Sequence, residues 1–458
     1  MENEVLLEKY QELSHQQDHK ELRAYLDDQL ITDIVELISD EPEEGANIIN
    51  LLTISRAAAA FRILEFPEQE EIIKELPATK IAELLNELPP DDRTSFLGEL
   101  PSTAVKELIK LLDPEERRIT LSLLGYPETS VGRIMTPDYL AVKQKWTVRR
   151  VLDHIRQNGK DSETIDVIYV IDDKGILLDD FRIREFLLVD PETEVSTLMD
   201  DRFVSLNANE DQEEAIQIFR MENRVALPVV DDSGVMLGIV TIDDMLWIAN
   251  EEHTEDIQKI GGTEALDEPY LDISLLKLLK KRVGWLVILF FGEMLTATAM
   301  GFFEGELERA VVLALFIPLI ISSGGNSGSQ ASTLIIQAMA LGEIKLSDWW
   351  RVMRRELASG FLLGTVLGII GFIRIIIWSM IFHSYGPHYI LIGTTVGVTL
   401  LGVVMWGTIT GSMLPIILKR AGADPATSSA PFVATLVDVT GLIIYFSVAY
   451  SLLNGILL

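Results

Sequence analysis

The chain has 458 residues, with 70 acidic and 38 basic side chains and a formal net charge of −32. That balance excludes nucleic acid as a partner, because phosphate binding needs clustered Lys and Arg. The sequence contains no cysteine, which excludes disulfides, thiol catalysis and thiolate metal ligands.

The charge is unevenly placed. Residues 1–282 hold 61 of the acidic and 30 of the basic residues, and the remainder of the chain is apolar. The expected fold class is therefore multidomain: an all-α superhelical N domain, an α/β tandem domain pair, and an all-α transmembrane domain of five helices. An acidic surface of this kind suits hard cations such as Mg2+ and Ca2+, which take oxygen ligands.

The first segment, residues 1–128, opens with a polar, acidic stretch and no charged-then-apolar signal sequence, so the soluble part is expected to stay in the cytoplasm. Prolines at Pro67, Pro77, Pro89, Pro90, Pro101 and Pro114 are each followed by apolar residues at helical spacing. A start signal recurring every 10 to 13 residues predicts an array of one- to three-turn helices presenting acidic loops such as Pro90-Asp91-Asp92.

Residues 129–250 contain a duplication. Arg133-Ile-Met-Thr-Pro-Asp-Tyr-Leu-Ala-Val, a helix and Val167-Ile-Tyr-Val-Ile-Asp-Asp-Lys-Gly recur as Leu198-Met-Asp-Asp-Arg-Phe-Val-Ser-Leu, a helix and Leu227-Pro-Val-Val-Asp-Asp-Ser-Gly. Each copy alternates strand and helix around an Asp-Asp-x-Gly turn. The pattern resembles a tandem pair of CBS domains, at residues 129–190 and 191–250. The second copy ends in Gly238-Ile-Val-Thr-Ile-Asp-Asp244, which is similar to that family's ribose-binding signature and implies ATP or another adenine nucleotide there. The matching stretch of the first copy, Leu178 to Glu185, lacks the threonine and the aspartate.

A connecting segment, residues 251–282, is expected to be helical from Leu246 to Arg282 apart from Gly261-Gly262. Its acidic run, Glu251-Glu252-His253-Thr254-Glu255-Asp256, is either a solvated face or a lever for charge-dependent movement.

Residues 283–458 carry five apolar stretches of spanning length: Val283 to Met300, Ala310 to Leu341, Leu357 to Phe382, Ile390 to Leu418 and Phe432 to Leu457. Basic residues flank them on one side: Lys277, Lys280, Lys281 and Arg282, then Lys345, Arg351, Arg354 and Arg355, then Lys419 and Arg420. The positive-inside rule places the N-terminus in the cytoplasm and the C-terminus outside, in a multi-pass protein of the cell membrane. An odd number of spans forbids an even two-fold repeat within one chain, so a pore calls for a second copy.

Asp438 is a lone carboxylate in the middle of the fifth stretch. Leaving a charge in hydrocarbon costs at least about 2.5–3.5 kcal/mol, so it either faces an aqueous path or is a structural aspartate bonded to a hydroxyl such as Thr435 or Thr440. Small residues one turn away, Ala434 and Gly441, leave room for a hydrated cation. The second stretch is expected to break at Ser322-Ser-Gly-Gly-Asn-Ser-Gly-Ser-Gln330, where glycine and serine either allow close helix packing or line an aqueous cavity. Glu293 in the first stretch is read as an interhelical hydrogen bond or, in a proton- or Na+-coupled transporter, as a second carboxylate. Its replacement by Gln is expected to leave conduction largely intact. Arg374 is read as a lipid-interface or partner charge.

Taken with the tandem pair, the Ser322–Gln330 and Ala434–Gly441 motifs identify the chain as similar to MgtE-family magnesium channels over residues 20 to 458. The resemblance implies a homodimer in the lipid bilayer, with Asp438 holding hydrated Mg2+ near the dimer axis, Asn326, Asp424 and Ala434 beside the path, and Co2+ or Mn2+ as further ions. It implies cytoplasmic Mg2+ ligands at Asp91, Glu213, Asp244, Glu255 and Asp256, and no enzymatic activity. Some family members carry a second asparagine where this chain has Ser329, and carboxylates where it has Ala59, Ser95, Asn223 and Trp247. Asp424-Pro425 also reads as a helix start. There is no Gly-x-x-x-x-Gly-Lys-Ser/Thr loop, and none is needed, since a divalent cation moving inward gains about 4.6 kcal/mol per 100 mV. A membrane-anchored nucleotide sensor is the remaining alternative.

Overall fold

A computed structural model describes residues 2–15, 19–266, 268, 270, 271, 273–383 and 385–457. The chain divides into two compact units, residues 1–250 and 251–458.

In the first unit the expected short helices are present, and proline sets their ends. Leu76, Leu88 and Leu100 each precede a proline and adopt ψ of 145°, 139° and 149°, outside the helical region. The pyrrolidine ring disfavours helical ψ at the residue before it, so each Glu-Leu-Pro step ends one helix and starts the next. The helices Phe66–Glu75, Ala78–Glu87 and Pro90–Glu99 follow this way. Leu76 and Leu88 turn into a core with Leu84, Leu85, Phe96 and Leu97.

Arg93 is fully buried in this unit. It donates to the carbonyls of Leu85 at 3.1 Å and Leu88 at 3.2 Å and to Thr120 Oγ1 at 2.8 Å, and it pairs with Glu116. A guanidinium has donors enough to satisfy the free carbonyls at the end of helix Ala78–Glu87. Those bonds pin the start of helix Pro90–Glu99, and with it Asp91 and Asp92.

The duplicated segment forms two like sheets, β1 (Ala141–Val142), β2 (Val167–Ile171) and β3 (Leu177–Arg182), then β4 (Leu206–Asn207), β5 (Ala226–Val230) and β6 (Met236–Thr241), each with its first pair parallel and its second antiparallel. The turns repeat as well. Asp172 Oδ1 accepts from the amides of Lys174 and Ile176, and Asp231 Oδ1 from those of Ser233 and Val235. Gly175 and Gly234 take φ of +85° and +82°, a conformation that favours glycine. The copies exchange bonds: Leu177 N–H donates to Gly234 and Met236 N–H to Gly175.

Helix Ile242–Ile260 follows β6. The expected helical continuity to Arg282 fails. Gly262, at φ +78°, reverses the chain, and a Cβ there would lie 2.8 Å from the Trp285 ring. Regular structure resumes at Leu275, so Lys277, Lys280, Lys281 and Arg282 belong to the first long apolar helix, Leu275–Phe302. Asp267, Pro269 and Asp272 of the connecting segment lie outside the described residues.

Among the described residues five helices are long and apolar enough to cross a membrane: Leu275–Phe302, Val311–Ala340, Leu346–Phe382, Tyr389–Arg420 and Ala430–Leu453, here the first to fifth spans. The expected break at Ser322–Gln330 does not occur. Helix Ile317–Ala340 runs through it without interruption, after a 3-10 turn at Val311–Phe316. The glycines serve packing. A Cβ on Gly407 would lie 2.4 Å from the Gly324 carbonyl oxygen, and one on Gly411 would lie 2.0 Å from that of Gly328. Gly360, Gly364 and Gly368 bring the third span close to Met405, Leu401 and Gly397 of the fourth, where an added Cβ would lie 3.0, 2.9 and 2.6 Å from their backbone atoms. Backbones in lipid approach this closely only through small residues.

Gly411→Ala should therefore destabilise the membrane unit by about 1–3 kcal/mol, the usual cost of overpacking. Gly402→Ala, where the nearest atom lies 3.4 Å from the added Cβ, should change little. Thermal unfolding of the detergent-solubilised protein measures both. Equal midpoints for the two variants would contradict the packing account.

Candidate ion pathway and acidic clusters

Asp438 is half-buried in the fifth span. Neither threonine proposed as a structural partner serves it. Thr435 Oγ1 donates to the Pro431 carbonyl at 3.0 Å, and Thr440 Oγ1 donates to the Leu436 carbonyl at 2.8 Å while accepting from Trp406 Nε1. A hydroxyl has one proton, so both are committed elsewhere. The partner is Glu293 of the first span, whose carboxyl lies within hydrogen-bonding reach of that of Asp438. Glu293 thus makes the interhelical contact expected of it, and makes it to Asp438.

The second span borders the same spot. A Cβ on Gly325 would lie 3.3 Å from Ala434 Cβ and 3.5 Å from Asp438 Oδ1. One helix face carries the packing glycines Gly324 and Gly328. Asn326 is exposed, and among the described residues its amide reaches only Ser322 Oγ, at 3.3 Å. Ser329 donates to the Ala430 carbonyl at 2.9 Å. The fold thus brings together Asp438, Ala434, Gly325 and Glu293. Arg374 lies elsewhere, its guanidinium 5.2 Å from the Trp378 ring centroid in a cation–π contact.

Asp424 sits in the loop before the fifth span. Its Oδ1 accepts from the Ala426 amide at 2.8 Å, so it does start the short helix Pro425–Thr427, and its Oδ2 accepts from Lys259 Nζ at 2.6 Å. Lys259 also pairs with Glu255. Burial opposes the charge on Lys259, but the two carboxylates outweigh it and hold the ammonium above the usual lysine range. Asp256 lies in the same group. Burial, and then the nearby Asp424 carboxylate, raise its carboxyl to about 6, with Lys259 opposing. The end of helix Ile242–Ile260 thus carries two of the predicted sensing residues, Glu255 and Asp256, beside Asp424.

The other sensing residues lie in the first unit. Asp91 is buried at the start of helix Pro90–Glu99, and its Oδ1 has no hydrogen-bond partner among the described residues. Burial, then the charges of Asp92, Asp244 and Glu163, raise its carboxyl well above the ordinary value. Burial raises Asp92 to about 7, against the pull of Arg62, whose Nε lies 2.9 Å from Oδ2 in an ion contact without hydrogen-bond alignment. Asp244 is raised by burial, although Thr241 Oγ1 donates to its Oδ2 at 2.5 Å. Glu163 shifts upward for the same first cause. Asp91 and Asp244 are thereby joined by Asp92, Asp243 and Glu163, of which Asp243 and Glu163 were not expected from the sequence. Glu163 lies in a loop with no motif, and only tertiary contact reveals it. Glu213 is exposed in the first turn of helix Gln212–Glu222. Among the described residues, no three carboxylate or imidazole side chains converge tightly enough to form a metal centre on their own.

Comparison with known proteins agrees with this layout. Residues 317–448 match the MgtE family described as a divalent cation transporter, residues 29–129 match the MgtE intracellular N domain, and residues 131–187 and 195–250 match CBS domains. The chain is 40% identical over 335 residues to the magnesium transporter MgtE of Thermus thermophilus, covering 73% of this chain and 72% of that protein. It is 29% identical over 438 residues to MgtE of Bacillus subtilis, covering 95% of each. A crystal structure of the cytosolic domain of the Mg2+ channel MgtE in complex with ATP superposes at a TM-score of 0.51 with 34% identity, covering 53% of this chain and 99% of that one. Its five apolar helices, its paired CBS domains and its similarity along the chain make this protein a multi-pass, non-enzymatic member of the MgtE family of magnesium transporters.

Proposed function

We propose that the chain is a channel that conducts Mg2+ into the cytoplasm down its electrochemical gradient and closes when Mg2+ occupies its acidic cytoplasmic sites. The observation that carries conduction is the half-buried Asp438 carboxylate beside Gly325 and Ala434, with the exposed Asn326 amide one helix away. Mg2+ dehydrates reluctantly, so a pathway offering a carboxylate, an amide and backbone carbonyls to its water shell suits it better than a closed cage. Two copies around a common axis would complete the pore, with the N-terminus in and the C-terminus out. Asp424 would stand at the cytoplasmic entrance. The division into residues 1–128, 129–190, 191–250, 251–282 and 283–458 is part of the same reading, and Co2+ and Mn2+ are the further ions it admits.

Closure follows from electrostatics. Asp91, Asp92, Asp244 and Glu163 repel one another when ionised, and the unpartnered Asp91 oxygen leaves room for a cation to bridge them. Glu255 and Asp256 beside Asp424 offer a second place, partly neutralised by Lys259. Glu213 would contribute from the exposed face of its helix. Bound Mg2+ favours the arrangement in which these carboxylates are close, and its loss favours separation. An adenine nucleotide at the second CBS copy would meet Thr241 and Asp244. A proton- or Na+-coupled transporter is the second reading, favoured by the Glu293–Asp438 contact; uptake driven by an imposed proton gradient would support it.

Asp438→Ala should abolish Mg2+ flux into liposomes, and Asp438→Asn should remove most of it, with folding unchanged. Near-parental flux in either variant rules Asp438 out of conduction. For the gate, Asp244→Ala or Asp256→Ala should raise the cytoplasmic Mg2+ concentration that closes the channel, by about tenfold for each 1.4 kcal/mol lost from the closed form. Patch recordings of open probability against Mg2+ measure this, and an unchanged closing concentration would contradict it.

The acidic cluster also predicts a pH dependence. A carboxyl whose folded-state pKa is raised imposes no penalty below its ordinary value, and an increasing one as pH rises through the folded value. With Asp92 at about 7 and Asp91 raised, the cation-free cytoplasmic part should lose thermal stability as the solution is taken from acid to above neutral pH. Added Mg2+ should restore more stability above pH 7 than in acid. Equal Mg2+ effects on the unfolding temperature at both would remove the cluster from cation binding.

A further inference from the structure

Glu293 stands midway along the first span among residues that are largely open to the surroundings. Phe290, Phe291, Met294 and Leu295 are each more than half exposed, and Glu293 itself is exposed. A carboxylate facing lipid there would cost at least about 2.5 kcal/mol, so its environment has to be a polar one. The packing says which. The first and fifth spans run side by side in the same direction, fixed at successive levels. Trp285 Nε1 donates to Ser429 Oγ at 2.9 Å, a Cβ on Gly292 would lie 2.5 Å from Thr435 Cγ2, and the rings of Phe303 and Phe446 stack at 4.4 Å. The Glu293–Asp438 contact falls between the second and third of these levels, so it follows from the helix register.

Among the described residues of these spans, no basic side chain stands level with the pair. The second span, which packs on the fifth, has no titratable side chain along helix Ile317–Ala340, and the fourth has them only at its ends, in Tyr389, Lys419 and Arg420. Two carboxyls meet within hydrogen-bonding range only with a proton or a cation between them. In a magnesium transporter the mobile cation is the substrate.

We propose that Glu293 is a second cation-binding carboxylate of the conduction pathway, acting with Asp438 to select divalent over monovalent ions. The inference rests on the reading of Asp438 as the pore carboxylate. Each carboxylate attracts a dication twice as strongly as a monocation at the same distance, so adding a second one widens the gap between Mg2+ and K+. Both would act on the ion's water shell, since Mg2+ keeps several of its waters. This reverses the sequence expectation that Glu293→Gln leaves conduction largely intact.

The test uses the full-length protein in liposomes, comparing Mg2+ uptake and K+ permeation in the parent, Glu293→Gln, Glu293→Asp and Asp438→Ala. Gln preserves the length and the interhelical hydrogen bond but removes the charge. Glu293→Gln should raise the apparent KM for Mg2+ about tenfold and lower the Mg2+-over-K+ preference, while Glu293→Asp should stay near the parent on both. A parental KM and preference in Glu293→Gln, or equal impairment in the Gln and Asp variants, reduces Glu293 to a packing contact and overturns the proposal. Normal conduction by Asp438→Ala would instead sink the underlying pore reading, whatever the Glu293 variants do.

Discussion

An ionisable group placed halfway along an apolar helix has to find water, a counter-charge or an ion, and the membrane unit is arranged around that demand at Asp438. Its own helix cannot meet it, because Thr435 and Thr440 spend their protons on backbone carbonyls. The fourth and second spans close up on each other through Gly324, Gly328, Gly407 and Gly411. What remains near the carboxylate is small or polar: Gly325, Ala434 and Glu293. The proposed cation path runs past this place.

The same rule acts outside the membrane, with a different result. Asp91 and Asp92 are held at a helix start by Arg93, whose guanidinium is spent on Leu85, Leu88, Thr120 and Glu116 and has nothing left for them. Arg62 offsets only part of the charge, so the carboxyls there take up protons more readily than free aspartates. By contrast, Asp424 has a lysine of its own, and its loop is closed by that ion pair. The two acidic groups therefore differ in kind: one lacks a lysine partner, and the other contains one.

Much of this was legible in the sequence, and the reasons are local. Spans are legible because about 20 consecutive apolar residues have no other use. The short helices are legible because Leu-Pro steps forbid helical ψ at the leucine, and the CBS copies because the Asp-Asp-x-Gly turn occurs twice with the same amide acceptors. Asp438 stood out because a charge in such a segment is costly wherever it points. The motif at Ser322–Gln330 misled in one respect. Glycine and serine lower helix propensity, but in lipid the backbone has no other hydrogen-bonding partner, so the helix continues and the glycines serve close packing instead.

Amino-acid order alone thus determined the element types, the duplication, the five spans and the identity of the isolated carboxylate, since each depends on neighbours a few residues away. Which carboxylates meet was decided only by the tertiary structure. Glu163 joins Asp91 and Asp244 from a loop without a motif, Lys259 reaches Asp424 across 165 positions, and Glu293 reaches Asp438 because two parallel helices are locked in register by Trp285, Gly292 and Phe303. The physical reason is that electrostatic interaction depends on distance in space and on burial, and neither is a function of separation along the chain.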